Sequence, residues 1–245
     1  EFDQPVINSK EKISEMDFML VLGGDGTFLS CARAVENRST PILGIHLGDL
    51  GFLAKVTLEN IFQRLDQVSN GLFTVEKRSM VKASILKNGT SLTQYGLNDF
   101  VVSNGESHRM LIAEVYVDDN RVSEYKADGL IVATPTGSTA YSLSSGGPII
   151  SPDVDSFVIT PISAHTLNSR PLVVSAKSRI KIQFSPYNEN ILLITDGQLH
   201  ELLTAQDTVL ITDSDFEIGL IDFEDDDYFQ TLRTKMGWGT RGGSN

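Results

Sequence analysis

The first 78 residues alternate short apolar runs with stretches of helical periodicity. Apolar runs at residues 17–22 and 41–46 have the length of buried strands, and residues 27–36 between them place their apolar side chains on one side of a helix. A second helix is predicted over residues 58–68, ending before an Asn-Gly pair that tolerates left-handed backbone. Strand, turn, helix and strand form a βαβ unit with parallel strands, which predicts a Rossmann-like α/β domain at the N-terminus.

From residue 80 onward the apolar positions follow a period of two in short segments separated by turns. Asn88 and Gly89 form a pair typical of two-residue hairpins, and residues 118–120 predict a second turn. Strands are predicted at residues 81–87, 92–95, 112–117, 122–125, 129–134, 157–160, 172–174, 180–184, 191–195, 209–212 and 217–223. Such a series predicts a β-sandwich-like domain, and only residues 137–145, rich in small side chains, predict the opening of a helix.

The predicted fold class is therefore α/β plus β. We expect an α/β domain over residues 1–78, a β-sandwich-like domain over residues 79–224, and a C-terminal tail over residues 225–245 that returns to the α/β domain. The acidic run at residues 224–227 is interpreted as a solvated linker.

The amino-acid composition limits the kinds of molecule with which the protein is expected to interact. The 245 residues carry 20 Lys and Arg against 32 Asp and Glu, a net charge of −12, which disfavours nucleic acid and anionic membrane surfaces as partners. The single cysteine cannot form an internal disulfide, so a reducing cytoplasm is expected. No apolar run approaches the roughly 20 residues needed to span a bilayer, and the four histidines lack metal-ligand spacing, so no metal site made by protein side chains is predicted.

The first candidate site is the turn Gly23, Gly24, Asp25, Gly26 and Thr27, between the first predicted strand and helix. Glycines let the backbone approach an anion, and a helix N-terminus supplies N–H groups, so this phosphate turn predicts a phosphate site. It is neither a Walker loop nor a dinucleotide fingerprint, because it lacks the lysine of the former and the third glycine of the latter. A carboxylate there makes sense if it ligates a metal or removes a proton from an attacking hydroxyl; the alternative is that Asp25 caps the helix.

Two further groups of residues could bind a ligand. Seven hydroxyl side chains between Thr134 and Ser145 could donate to phosphate or ribose, with Tyr141 as a stacking plane; the alternative is a Ser/Thr-rich connection. Carboxylate or amide groups also stand at predicted strand ends, where ribose hydroxyls are commonly bound: at Asn98 and Asp99, at residues 126–129 and at residues 196–198. The alternative at each of these places is a turn.

Taken together, the motifs resemble the bacterial NAD kinases over about residues 16–239. They are GGDGT (23–27), GIHLGDLGFL (44–53), LND (97–99), ADG (127–129), GSTAYSLS (137–144), PISAHTLNSRPLV (161–173) and DGQ (196–198), in the family's order. The first motif alone also resembles 6-phosphofructokinases and diacylglycerol or sphingosine kinases. The whole series is specific to the NAD kinases.

The resemblance implies transfer of the γ-phosphoryl group of ATP, with a divalent metal such as Mg²⁺, to the 2′-hydroxyl of the adenosine ribose of NAD, giving NADP. Inorganic polyphosphate replaces ATP in some members, and a homotetramer is usual. Asp25 is implied as the general base, with Gly26 lining the same site. The residues implied to contact NAD are Phe52 near the adenine, Asn98 and Asp99 at the ribose, Arg109, Lys126 and Asp128 in the same pocket, Thr139, Ala140, Tyr141, Ser142, Leu143 and Ser144 around the adenosine, and Gln198 on its far side.

The chain departs from the family pattern in two respects. Members usually begin with a further strand and helix, so we expect that this segment was removed or lies outside the sequence. Asp99 stands where glutamate is also common, which keeps the charge but shortens its reach. Two alternatives stay open at this point: a lipid or sugar kinase that shares the phosphate turn, and a catalytically silent sensor of NAD or NADP.

Overall fold

The computed structural model describes residues 10–48, 50–87, 89–105, 109–166 and 168–239. Asp49, Asn88 and Leu167, which belong to predicted motifs or turns, lie outside these residues. The chain divides into two compact units, a first unit of residues 1–77 and 218–245 and a second unit of residues 78–217. None of the helices in the described part of the chain has the length and apolar character needed to cross a bilayer.

The helices and strands follow one another in this order: β1 (Met19–Leu22), α1 (Asp25–Val35), β2 (Ile42–Ile45), α2 (Ile61–Ser69), β3 (Thr74–Lys87), β4 (Thr90–Gly96), β5 (Asp99–Ser103), β6 (Leu111–Val117), β7 (Asn120–Ala127), β8 (Gly129–Ala133), α3 (Tyr141–Ser144), β9 (Ser156–Ile162), β10 (Leu172–Ser175), β11 (Ile180–Phe184), β12 (Ile191–Thr195), β13 (Leu199–Leu203), β14 (Thr208–Asp222) and α4 (Tyr228–Met236). Short 3-10 helices span Lys10–Glu15, Glu36–Arg38 and Thr136–Thr139. β3 and β14 each have residues in both units.

The first unit contains the predicted βαβ arrangement. β1 and β2 pair in parallel, with Met19 opposite Ile42 and Leu22 opposite Ile45, and α1 connects them. Leu220 of β14 pairs in parallel on the other side of β2. All four residues of β2 are buried because a strand flanks each edge and apolar side chains, including those of α2, pack on it. The α/β prediction for this part of the chain is confirmed.

Glu224, Asp225 and Asp227 of the acidic run after β14 are exposed, in agreement with the predicted solvated linker, but the run also makes specific contacts. Asp225 and Asp226 accept ion pairs from Arg64 at 2.7 and 3.4 Å, and Arg64 is 7% exposed. The Asp227 carboxylate accepts a hydrogen bond from the Phe229 N–H at 2.8 Å and so caps α4, a helix that the sequence patterns did not predict. The run therefore ties the C-terminal segment to α2.

The second unit is a sandwich of two sheets, as the period-two pattern predicted. Six strands form one antiparallel sheet in the order β10-β9-β8-β5-β12-β13. In the other sheet β14 pairs with β11, β11 with β6 and β6 with β7, while β3 pairs with β4 and β14. Apolar side chains from both sheets share one core; they include Ile85, Val115 and Ile182 from one sheet and Phe100, Val132 and Leu193 from the other.

β5 and β8 lie in the middle of the six-stranded sheet and are covered on both faces. Phe100 and Val132 point into the shared core, whereas Val101 and Ile131 pack in a separate apolar cluster on the opposite face. Every residue of β8 is therefore buried. The ends of these rigid strands carry the candidate site.

Candidate active site

Three strand ends meet at one edge of the six-stranded sheet. Asp99 at the start of β5 pairs with Ala133 at the end of β8, and Phe100 pairs with Thr195 at the end of β12. Because neighbouring strands are antiparallel, the start of one lies beside the ends of its neighbours. The topology thus brings together Asn98 and Asp99, the hydroxyl-rich segment after β8 and Asp196 after β12.

Asp196 binds the backbone that leads into β5. Its Oδ1 accepts hydrogen bonds from the N–H groups of Asn98 and Asp99 at 2.8 and 3.2 Å, and its Oδ2 accepts one from the Leu97 N–H at 3.2 Å. The Asp196 N–H in turn donates to the Asp99 carbonyl at 3.0 Å. Asp196 is only 7% exposed, so it is a buried clamp as well as a turn residue.

The segment after β8 holds the same backbone from the other side. The Thr134 N–H donates to the Asn98 carbonyl at 2.8 Å, and the Thr134 hydroxyl donates to the Leu97 carbonyl at 2.6 Å. A Cβ at position 137 would overlap the Asn98 carbonyl oxygen, so Gly137 is required for this close approach. Asn98 is thereby held in one backbone conformation.

Several hydroxyl groups of this segment form hydrogen bonds with protein groups inside it and around it. The Ser138 hydroxyl is fully buried and accepts from the Ile150 N–H at 3.0 Å. The Thr139 hydroxyl donates to a carbonyl three residues earlier at 3.1 Å, and those of Ser142 and Thr160 lie 2.8 Å apart. These hydroxyls fix the shape of the turn from which Ala140 and Tyr141 project.

A cavity of about 290 Å³ opens at these strand ends. It is lined by Asn98, Asp99, Val101, Ala140, Tyr141, Ile194, Asp196, Gly197 and His200. Tyr141 is 48% exposed, which leaves a ring face available to a ligand. His200 had no signal in the sequence, because its strand, β13, was not predicted.

The Asp99 carboxylate is the most perturbed group in the cavity. It is 3% exposed, and burial, reinforced by the negative charge of Asp196, raises its pKa to about 7. Among the residues that the structure describes, none donates a hydrogen bond to this carboxylate. A buried carboxylate without a donor destabilises the fold, and such groups in clefts mark functional sites.

Other residues implied by the resemblance lie elsewhere in the second unit. Arg109, Lys126, Asp128 and Gln198 are not among the described residues that line this cavity. Arg109 and Lys126 are exposed and pair with nearby glutamates at 3.8 and 3.2 Å. Their contacts with NAD stay predictions.

The phosphate turn belongs to the first unit. Asp25 is the first residue of α1, and its carboxylate accepts hydrogen bonds from the N–H groups of residues 52–54 at 3.0, 3.1 and 3.2 Å. Gly24 is the N-cap and no side chain caps the helix, so the alternative in which Asp25 serves as the cap is wrong. A Cβ at position 51 would overlap the Asp25 carboxylate, which requires Gly51.

Phe52 lies beside this turn and contacts the C-terminal helix. Its ring centroid is 6.3 Å from that of Tyr228, and the Lys235 ammonium lies 5.9 Å from the Phe52 ring. Both partners are on α4, a helix that the sequence patterns do not predict. The arrangement places an aromatic plane and a cation next to the segment that binds Asp25.

Comparisons with known proteins agree with this geometry. Residues 7–73 match the ATP-NAD kinase N-terminal domain and residues 97–223 the ATP-NAD kinase C-terminal domain. The chain is 42% identical over 236 residues to the NAD kinase of Thermoanaerobacter sp. (strain X514), covering 96% of this chain and 83% of that protein.

Two solved structures share the fold. A yeast NADH kinase complexed with NADH has a TM-score of 0.88 at 27% identity, covering 98% of this chain and 72% of that one. An NAD kinase from Archaeoglobus fulgidus in complex with ATP has a TM-score of 0.79 at 28% identity, covering 96% and 87%. From both domain matches, and from identity over nearly its whole length, the chain belongs to the NAD kinase family.

Proposed function

We propose that the chain transfers the γ-phosphoryl group of ATP to the 2′-hydroxyl of the adenosine ribose of NAD and so forms NADP. Family membership gives the reaction class, a kinase acting on NAD. We further propose which hydroxyl accepts the phosphoryl group, that ATP is the donor, and which residues carry out each role.

The observation that carries the proposal is the buried Asp99 carboxylate, which faces a cavity beside Asn98 without a hydrogen-bond donor. A ribose offers hydroxyl donors, which a carboxylate and an amide oxygen accept, so the Asp99 carboxylate and the Asn98 amide suit a ribose as ligand. We assign Asn98 and Asp99 to the ribose of NAD. Ala140 and Tyr141 form the adjacent apolar wall, with the Tyr141 ring available for stacking on a base.

Asp25 is assigned as the general base. Three N–H groups hold its carboxylate, and an ionised carboxylate offers about four lone-pair sites, so one site remains for a substrate hydroxyl. Asp25 takes the proton of the 2′-hydroxyl while that oxygen bonds to the γ-phosphorus. The bond from the γ-phosphorus to the bridging oxygen breaks, and ADP leaves with its electron pair. Base catalysis of this kind contributes roughly 10²–10⁴-fold.

A divalent metal such as Mg²⁺ is assigned to the phosphates of ATP. No group of three or more His, Cys, Asp or Glu side chains among the described residues could hold a metal ion by itself, and most of the acceptor capacity of Asp25 is already used. The residues therefore fit a metal carried in by a nucleotide. When bound, it neutralises charge on the transferred phosphoryl group, while the N–H groups at the start of α1 favour the same anion.

The remaining assignments follow the family resemblance. We propose that residues 79–224 act as the NAD-binding domain, that Phe52 packs near the adenine, and that Arg109, Lys126, Asp128 and Gln198 also contact NAD. A homotetramer, a cytoplasmic location and the use of polyphosphate as an alternative donor are expected on the same ground.

The test is the identity of the product. The chain is incubated with NAD and Mg-ATP, and NADP is read with an NADP-specific dehydrogenase; polyphosphate runs in parallel, and NAD lacking the adenosine 2′-hydroxyl is the matched control. NADP from NAD and no phosphorylated product from the control are expected. Binding of NAD without NADP would instead make the chain a silent sensor, and phosphorylation of a lipid or sugar alone would refute the proposal.

A further inference from the structure

We infer that Asp196 is a positioning residue for NAD, whose carboxylate holds the backbone of residues 97–99 in the conformation that presents Asn98 and Asp99 to the substrate. The inference rests on the proposed assignment of Asn98 and Asp99 to the ribose. Asp196 would thus contribute to NAD binding indirectly, by holding the backbone of Asn98 and Asp99.

Asp196 and the start of β5 form a reciprocal ring of hydrogen bonds. Three successive N–H groups, from Leu97 to Asp99, donate to its two carboxylate oxygens at 2.8 to 3.2 Å, and the Asp196 N–H donates back to Asp99 at 3.0 Å. Hydrogen bonds to a charged acceptor are about twice as strong as neutral ones. The side chains of Asn98 and Asp99 depend on this backbone for their direction into the cavity.

The local backbone is adapted to bring this carboxylate into place. Asp196 has a φ of +50°, in the left-handed region, and Gly197 follows with +66° in the turn between β12 and β13. Aspartate tolerates the left-handed region better than most residues, yet it is still unfavourable there. A Cβ at position 96 would lie 3.1 Å from Asp196 Oδ1, so the glycine at this position gives the carboxylate room.

The negative charge of Asp196 gives it an effect beyond holding the backbone. A neutral amide or hydroxyl side chain at this position could accept the same N–H groups, but it would place no second charge beside Asp99. The titratable groups that face Asp99 across the cavity are Asp196 after β12, His200 on β13 and Tyr141 on α3. Burial and, to a smaller extent, the charge of Asp196 raise the pKa of Asp99 to about 7. Near neutral pH the Asp99 carboxyl group can therefore either donate a hydrogen bond, when protonated, or only accept one, when ionised.

Asp207 offers a matched control. It is 3% exposed in the same unit and also accepts a backbone N–H, from Thr204 at 2.7 Å, but it is not among the described residues that line the cavity. Asp207→Asn thus reports what loss of a buried carboxylate clamp does to stability alone. Asn98→Ala serves as the reference for loss of a residue that touches NAD.

The experiment compares Asp196→Asn, Asp207→Asn and Asn98→Ala in the full chain by steady-state kinetics in NAD and in ATP across pH 5.5–9, with thermal melting alongside. For Asp196→Asn we expect kcat/KM for NAD to fall about 10- to 100-fold, with KM for ATP unchanged. The limb of the kcat/KM profile that reports Asp99 should move to lower pH, because a neighbouring negative charge is gone. Asp207→Asn should keep the wild-type KM for NAD and the wild-type profile.

A second variant keeps the inference testable if Asp196→Asn does not fold. In Gly96→Ala the new Cβ would lie 3.1 Å from Asp196 Oδ1 and 3.2 Å from the Asp99 carbonyl oxygen, so it crowds both partners of the clamp by a few tenths of an ångström while Asp196 keeps its charge. KM for NAD should therefore rise about three- to tenfold with the pH profile unmoved. The inference on Asp196 is overturned, and the site assignment stands, under the following result. Asn98→Ala raises KM for NAD, whereas Asp196→Asn and Gly96→Ala keep the same KM for NAD and the same pH profile as Asp207→Asn. If Asn98→Ala leaves KM for NAD unchanged, the site assignment itself is overturned.

Discussion

Replacing Asp99 by asparagine should stabilise the protein and impair its use of NAD at the same time. The folded chain keeps the Asp99 proton up to a pKa of about 7, whereas the unfolded chain releases it near the ordinary value of 3.8. The folded state therefore binds more protons than the unfolded state in this window, and stability falls as the pH rises through it.

The size of the effect follows from the same pKa. Each pKa unit corresponds to about 1.4 kcal/mol, so the charged form of Asp99 costs the folded state about 4 kcal/mol above pH 7. Asparagine is neutral at every pH and nearly isosteric. At pH 8, Asp99→Asn should therefore raise the free energy of unfolding by about 2–4 kcal/mol. At pH 5, where Asp99 keeps its proton in the folded chain but is ionised in the unfolded chain, the gain should fall to about 1–2 kcal/mol, and it should vanish only below the unfolded pKa of 3.8.

Urea unfolding at pH 5 and pH 8, followed by circular dichroism, measures this difference, and calorimetry with NAD measures the loss of affinity. Asp207→Asn is the control, since it removes a buried carboxylate that does not line the cavity. A variant less stable than the wild type at pH 8, or a stability difference that is the same at both pH values, would show that burial does not penalise the ionised Asp99 carboxylate.

Two other variants test the cavity of the second unit and the phosphate turn of the first unit, each by itself. Tyr141→Ala should weaken NAD binding about 10- to 100-fold, because it removes a stacking plane. The melting temperature should barely change, because Tyr141 is 48% exposed. A large loss of stability with unchanged NAD affinity would instead make Tyr141 a core residue. Gly51→Ala should lower kcat about 100-fold or more, because the new Cβ would overlap the Asp25 carboxylate. Gly48→Ala is its control, since a Cβ there meets nothing within 4 Å, and equal activity of the two glycine variants would contradict the reasoning.

The sequence patterns predicted the elements whose side chains alternate and whose turns have characteristic residues. β6 is an example: its residues alternate between buried and partly exposed, and the turn that joins it to β7 uses Asp118 and Asp119 at positive φ. β5 was missed because it is buried on both faces and opens with a charged residue, so it shows no alternation. The two strands predicted at 209–212 and 217–223 are the single strand β14, whose middle has exposed polar side chains.

The sequence singles out some of the residues that line the cavity, but not the contacts that hold them there. Asn98, Asp99 and Tyr141 were all singled out from the sequence, and the structure places them around one cavity. The role of Asp196 depends on β12 lying beside β5, a pairing between residues about 100 positions apart. Local patterns cannot reveal such a pairing. For the same reason the carboxylate of Asp25 was open to interpretation as a helix cap until residues 52–54 were seen to bind it.

We propose Asp25 as the general base of NADP formation. The most direct test is NADP formation from NAD and Mg-ATP by wild type and Asp25→Asn at equal concentration, with NAD affinity by calorimetry and folding by circular dichroism. We expect a folded variant that binds NAD as the wild type does and turns over about 10²–10⁴-fold more slowly. Turnover of the Asp25→Asn variant close to the wild-type rate would show that Asp25 is not the general base.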